Sequence, residues 1–264
     1  MTGYREKKTG SRHRVRKQEV DEYSYVQSVL DRLRVLKNTM SYAELSSKSG
    51  VDSTLLCRYV TGKVRPSLSR CILLEEKLLS TKDFQERLRE KILIKQNGYL
   101  DLHELLCDSD ALRWISGLVR SHFKNMKIDR VLTAASSGIA LATSVALMTG
   151  ASVVYATHTK TSGPGSYFES EIPSTNPSEI FSLYLPVSWL KKGDRILLVD
   201  DVATSGRTMV GLVNIVEKAG CELMGIFVLV SMANEWKAKI EQRFGREIKT
   251  FVLFDLAKES ILQV

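Results

Sequence analysis

The chain has 264 residues, 44% of them hydrophobic and 26% charged, an ordinary balance for a globular protein of one large domain or a medium and a small one. No apolar run reaches the ~18–20 residues of a membrane span, and the charged N-terminus lacks the apolar stretch of a secretory signal. Charge is uneven: residues 1–95 hold 21 Lys and Arg against 12 Asp and Glu, a net of +9, while 96–264 hold 17 against 18, a net of −1. A basic third of this kind points to a polyanionic partner. Cys57, Cys71, Cys107 and Cys221 lie far apart without a CxxC pair, which argues against zinc or a disulfide framework and for a reducing cytoplasm.

In chain order, residues 1–20, with seven Lys or Arg and almost nothing apolar, predict a disordered basic arm that includes Arg12, Arg14 and Arg16. From Ser24, Val26, Val29, Leu30, Leu33 and Leu36 follow helical spacing up to a break at Asn38–Met40. Ser41 and Glu44 form a capping box for a short helix that ends at Gly50. Asp52 or Ser53 caps a second short helix, Thr54 to Thr61, with Leu55 and Leu56 inward and Gly62 as its stop. Pro66 marks the next start, with Ile72, Leu73, Leu74, Leu78 and Leu79 as a buried face. Residues 81–95 read as a charged amphipathic helix packed through Phe84, Leu88 and Ile92 and ending at Asn97-Gly98.

Two short helices joined by a Gly-containing turn and flanked by further helices are what a helix-turn-helix requires. The stretch from Ala43-Glu44-Leu45 through Gly50-Val51-Asp52, Leu55 and Arg58-Tyr59 to Gly62-Lys63 and Arg65-Pro66-Ser67 resembles the lambda-repressor/Cro-like helix-turn-helix family. That resemblance implies a DNA reader whose second helix enters the major groove. Ser53, Thr54, Cys57 and Arg58 would then face base edges, and Lys63 and Arg65 would contact phosphates.

Beyond residue 98 the pattern changes. A helix over Ser109–Lys124 precedes a strand at Val131–Thr133, a helix at Gly138–Thr149 and a strand at Ala151–Ala156. Residues 160–178, rich in Ser, Thr, Gly and Pro, read as a loop. Strands at Ile180–Leu185, Arg195–Val199 and Leu223–Val230 surround a helix at Thr208–Ala219, and Trp236–Phe244 and Phe251–Asp255 close the domain. Continuous apolar strands alternating with helices predict an α/β fold with a parallel sheet flanked by helices. The expected division is an arm at 1–20, a helix-turn-helix domain at 21–80, a linker helix at 81–98 and an α/β domain at 99–264.

The chemistry centres on one segment. Ile196-Leu197-Leu198-Val199 is wholly apolar, and Asp200-Asp201-Val202-Ala203-Thr204-Ser205-Gly206-Arg207-Thr208 follows it before a helix. Ligands of open parallel sheets bind at the carboxyl ends of strands. A small Gly-containing loop entering a helix presents backbone N–H groups and a positive dipole end to an anion. Thr204, Ser205 and Thr208 add hydroxyls, and the two carboxylates suit vicinal sugar hydroxyls, so the segment describes a ribose 5-phosphate site. It resembles the phosphoribosyl diphosphate (PRPP) motif of type I phosphoribosyltransferases. The resemblance implies that Asp200 and Asp201 meet the ribose hydroxyls, that Ala203 to Thr208 hold the 5′-phosphate, and that Mg²⁺ arrives with the ligand rather than on direct protein ligands. It also implies a pyrophosphate loop around Ser136, Ser137 and Gly138, and a mobile loop over 157–178.

One departure stands out. Active members place cations at the end of the second strand, where this chain reads Ala156-Thr157-His158-Thr159-Lys160 and offers only His158 and Lys160, of which Lys160 is the expected diphosphate ligand. A leaving diphosphate needs strong stabilisation, ~3–4 kcal/mol per donor. The sequence therefore reads as a cytoplasmic, DNA-binding regulator that senses PRPP or a nucleotide and has no assigned catalytic residue. It resembles purine-repressor-type and archaeal helix-turn-helix/phosphoribosyltransferase regulators, and by that resemblance forms a homodimer. The alternative is an active purine-type phosphoribosyltransferase carrying a nucleic-acid-binding appendage.

Overall fold

The computed structural model describes the backbone of residues 9–79, 82–94, 100–160, 165–173, 180–233 and 235–259. The chain divides into two compact units, Met1–Arg87 and Leu88–Val264.

The first unit is helical: α1 (Thr9–Thr39), α2 (Tyr42–Ser49), α3 (Ser53–Val60), α4 (Leu68–Leu74) running into a π-helical turn at Glu75–Leu79, and α5 (Lys82–Glu90), which crosses into the second unit. Residues 9–20, expected to be disordered, continue α1 as helix; 1–8 lie outside the described residues. Arg, Lys, Gln and Glu are good helix formers, the run has no proline, and extending an existing helix adds a hydrogen bond for each residue fixed. Val26, Val29, Leu30, Leu33 and Leu36 of α1 are all buried, and Leu45, Leu56, Tyr59, Leu74, Leu78 and Leu79 join them. Tyr59, not Leu55, accompanies Leu56, and Leu55 is half-buried. Ile72 faces outward at 45% exposure while Cys71 is buried, so the inward face runs through Cys71, Leu74 and Leu78. Within this core the fully buried Arg32 guanidinium pairs with Glu75, whose other oxygen accepts from the Tyr25 hydroxyl at 2.6 Å.

The second unit opens with a two-stranded hairpin, β1 (Leu93–Ile94) and β2 (Leu100–Asp101), followed by α6 (His103–Cys107) and α7 (Ser109–His122). The expected linker helix therefore ends at Glu90 and gives way to strand; its proposed stop, Asn97-Gly98, lies outside the described residues. Next come β3 (Arg130–Ala134), α8 (Gly138–Thr149), β4 (Ser152–Ala156), β5 (Tyr167–Pro173), β6 (Ile180–Pro186), β7 (Arg195–Ala203), α9 (Arg207–Lys218), β8 (Glu222–Ser231), α10 (Glu235–Phe244) and β9 (Thr250–Asp255). Five strands form one parallel sheet in the order β4-β3-β7-β8-β9. The α/β architecture expected of the alternating pattern is the one observed.

β5 and β6 stand apart as an antiparallel hairpin, registered from Tyr167 opposite Pro186 to Pro173 opposite Ile180. The strand at 167–173 corrects the loop expected over 160–178, of which 161–164 and 174–179 lie outside the described residues. Ser170 and Ile172, two apart, are both buried, and Asn214 of α9 donates to Ser170 Oγ at 3.0 Å. Lys218 Nζ adds a bond to the Glu169 carbonyl at 2.6 Å.

Candidate functional site

β3 and β7 are neighbours, but the chain winds outward from β3 to β4 on one side and from β7 to β8 and β9 on the other. The crevice at their carboxyl ends is thus the switch point at which open parallel sheets place ligands. Two strand-to-helix loops meet there: β7 into α9 and β3 into α8.

In β7, Ile196 to Val199 are fully buried. The strand continues beyond the expected Val199 to Ala203, so Asp200 and Asp201 are strand residues with side chains directed at the crevice rim. Both are nearly buried, at 6% and 8% exposure, and the Asp201 N–H donates to Asp200 Oδ1 at 3.2 Å. Burial, and after it the Asp201 carboxylate, pushes the Asp200 carboxyl well above the usual carboxylate range. Thr204 and Ser205 are exposed, and Gly206 adopts a left-handed φ of 71° just ahead of α9. Any Cβ at Gly206 would run into the Trp236 side chain. Trp236, fully buried at the start of α10, is held by its indole N–H donating to Ser231 Oγ at 3.0 Å. Arg207 folds over the loop and donates from Nε to Ser205 Oγ at 2.9 Å.

The β3–α8 loop has a different composition. Ala135 N–H donates to the Ala156 carbonyl at 2.7 Å, which ties the loop to β4, and the Ala135–Ser136 peptide is cis. Ser136 and Ser137 are exposed. Gly138 is buried, and a Cβ there would strike Thr133 Oγ1, so glycine lets the start of α8 pack against the end of β3.

The loops frame a cavity of about 600 Å³ lined by Asp200, Asp201, Val202, Thr204 and Thr208 on one side and by Ala135, Ser137 and Ala140 on another. That volume falls in the roughly 300–1,000 Å³ range of small-molecule sites. A smaller compartment of about 150 Å³ adjoins it, enclosed by Ala203 to Thr208 with His158, Ile172 and Phe181. His158 lines both. Lys160 lines neither: its ammonium is 3.3 Å from Glu169 and 4.8 Å from the centre of the Tyr184 ring. Ser136 and Gly138 shape the β3–α8 loop without lining the cavity.

Sequence reasoning missed the opposite wall, formed by Leu100, Asp101, Leu102, His103, Leu106 and Cys107. A five-residue helix carries too little periodicity to announce itself. Cys107 Sγ lies 3.8 Å from the His103 ring nitrogens. Among the described residues no group of three or more His, Cys, Asp or Glu could hold a metal ion, and no helix is long and apolar enough to cross a membrane.

In the first unit, Asp52 caps α3 by accepting from the Thr54 and Leu55 N–H groups. Thr54 and Arg58, one turn apart, are exposed on the same face of α3, and Lys63 is exposed just beyond it. Ser53 and Cys57 are half-buried, Cys57 against the Tyr42 phenol. Arg65 is tied back to α1, donating to the Tyr23 carbonyl at 3.4 Å with its guanidinium 4.0 Å from the centre of the Tyr23 ring.

Residues 104–256 match a family model described as a phosphoribosyl transferase domain. A hypoxanthine/guanine phosphoribosyltransferase of Methanobacterium lacus is 30% identical over 147 residues, which are 56% of this chain and 74% of that protein. The probable purine biosynthesis transcriptional regulator PurR of Streptococcus pneumoniae is 30% identical over 158 residues, 60% of this chain and 58% of the regulator. Among solved structures, an adenine phosphoribosyl transferase of Trypanosoma brucei in complex with AMP, pyrophosphate and ribose-5-phosphate aligns with a TM-score of 0.57. The alignment covers 66% of this chain and 81% of that one at 18% identity, a likeness of fold.

Proposed function

This chain belongs to the phosphoribosyl transferase family, and on that premise we propose that it is a DNA-binding transcription regulator whose family domain senses PRPP or a nucleotide. The observation that carries the reading is the pairing of two features in one chain. A cavity lined by Asp200, Asp201, Thr204 and Thr208 sits at the switch point of the second unit, and a short helix, three-residue turn and short helix with Thr54 and Arg58 outward sits in a third of the chain with net charge +9. The PurR relative supports the combination.

In this reading Asp200 and Asp201 accept from the ribose hydroxyls, and the Thr204–Thr208 hydroxyls and N–H groups hold the 5′-phosphate at the positive end of α9. Asp200, favouring its protonated form, can donate as well as accept. In this reading Mg²⁺ arrives on ligand oxygens and keeps most of its waters. Such an ion would neutralise phosphate charge beside the two acids.

On DNA, α3 is the recognition helix. Arg58 and Thr54 reach base edges, a bidentate Arg contact to guanine being worth ~1–3 kcal/mol of discrimination. Lys63 meets a phosphate, Ser53 and Cys57 stand at the rim of the contact, and Arg65 positions the turn after α3 through Tyr23. A homodimer on a palindromic site fits this class of reader. Ligand binding would shift DNA affinity by favouring one arrangement of the protein.

Binding of labelled duplex DNA selected from random sequence, with and without PRPP or nucleotides, tests the regulator reading. A steep fall in affinity with salt, sequence preference and a ligand-dependent shift are expected; absence of all three removes it. The relatives named as purine phosphoribosyltransferases favour a second reading, an active transferase with a nucleic-acid-binding appendage. Robust nucleotide formation from PRPP, Mg²⁺ and a purine base would establish that alternative.

A further inference from the structure

The cations of the site are unevenly distributed, and the imbalance chooses among ligands. The smaller compartment, built on the β7–α9 loop, is lined by Arg207. Among the described residues no Lys or Arg lines the larger cavity, which instead carries Asp101, Asp200 and Asp201. Lys160, the nearest cation by sequence, is engaged with Glu169 and Tyr184. Residues 161–190 contain no Lys or Arg, so that stretch of chain has no side-chain cation to offer a ligand. The β3–α8 loop offers hydroxyls and N–H groups alone.

A terminal phosphate brings roughly −1.5 to −2 charges at neutral pH. The β7–α9 loop answers one such group with a helix N-terminus, three hydroxyls and a guanidinium. A diphosphate placed toward the β3–α8 loop would meet no Lys or Arg among the described residues that line the cavity. Asp101 and Asp201 on its walls add like charge, which repels more strongly in a cleft than in open water. The remaining wall is mixed in a way that suits a planar heterocycle: Leu102, Leu106 and Met232 are apolar, and His103 presents ring nitrogens that can pair with a base edge.

We propose that this pocket selects a nucleoside 5′-monophosphate over PRPP, with its phosphate on the Arg207 loop and its heterocycle against α6, an inference that rests on the ribose 5-phosphate reading above. The ligand is then the class of molecule a phosphoribosyl transfer produces, so the chain reports on product rather than on the activated sugar.

Isothermal titration calorimetry of the full chain with AMP, GMP, IMP, XMP and UMP, and with PRPP, each with and without Mg²⁺, tests the proposal. At least one monophosphate is expected to bind tenfold or more tighter than PRPP in either condition. Ala140→Lys, which adds a cation on the exposed α8 wall of the cavity, should move the preference at least fivefold toward PRPP. Arg207→Gln should weaken the monophosphate tenfold or more; an unchanged affinity overturns the placement of its phosphate. PRPP binding as tightly as the best monophosphate overturns the selectivity and leaves the ribose 5-phosphate site standing. Failure of every ligand to bind overturns both.

Discussion

The β7–α9 and β3–α8 loops begin from the same geometry: a buried parallel strand, a loop of three residues and a helix of 12 residues, side by side at one end of the sheet. They differ in what fills them. Around the β7–α9 loop stand two acids at the end of β7, three hydroxyls and a guanidinium, and the loop's glycine is backed by a buried tryptophan from a third element. The β3–α8 loop holds small side chains only, and the glycine that follows it packs against Thr133 of its own strand. A strand-to-helix turn thus supplies backbone donors for nothing more than its topology, but charge and rigidity must be added residue by residue. Here they were added to one loop of the two.

The largest effect should come from rigidity. Gly206→Ala places a Cβ at a left-handed φ, costing about 1–2 kcal/mol, and drives it into Trp236, adding about 1–3 kcal/mol of overpacking. The expected loss is roughly 2–5 kcal/mol in denaturant unfolding of the ligand-free protein. Gly138→Ala has no left-handed penalty, and its collision is with a single hydroxyl, so about 1–2 kcal/mol is expected. Equal losses would mean that the β3–α8 loop is as rigidly backed as its neighbour.

Next comes charge. The folded protein holds a proton on Asp200 after the unfolded chain has released it, because the folded value is raised. Stability at that site is full below the ordinary carboxylate range, near pH ~4, and falls as pH climbs from there toward the raised value. Asp200→Asn abolishes that fall. The variant should melt roughly 2–4 °C higher than the parent at neutral pH, about 1 kcal/mol for a chain this size, with the difference vanishing toward pH 4. Asp129, at the opposite end of the sheet, has the reverse sign. The Arg195 side chain, bonded to it at 2.7 and 2.8 Å, holds its carboxyl well below the usual range, so Asp129→Asn destabilises at neutral pH and the loss shrinks in acid. A thermal scan of Asp200→Asn that shows no gain at neutral pH would place compensating charge in the crevice.

How much of this contrast can be read from sequence follows from where each residue's partners lie. The β7–α9 loop is legible because its polar residues directly follow four apolar ones, and local order is enough to place them. Trp236 is not legible as a buttress: its partner Gly206 is thirty residues away, and only the return of β8 to the sheet brings them together. The wall of α6 is hidden because five residues carry too little periodicity, and only the fold brings them opposite Asp200. β5 escapes because its inward residues include Ser170, whose burial depends on the amide of Asn214 and not on its own hydrophobicity. Lys160 is a different case: its position in the sequence suggests a diphosphate ligand, while its pairing at 3.3 Å with Glu169 of β5 depends on a fold that local order does not reveal.

The finest test compares single hydroxyls. Ser205 is exposed, and its Oγ accepts from Arg207, so Ser205→Ala should change stability by less than about 0.5 kcal/mol. Its effect belongs to ligand binding. The substitution removes a donor to the phosphate and frees the guanidinium from its aligned position, a loss of about 1 kcal/mol, or roughly fivefold in monophosphate affinity. Ser137, equally exposed in the other loop, lines the cavity where a monophosphate presents no charge, and Ser137→Ala should alter that affinity by less than about twofold. Two titrations on otherwise identical proteins therefore weigh one loop against the other. If Ser137→Ala weakens binding as much as Ser205→Ala, the anion spans both loops, and their different composition does not divide the work between them.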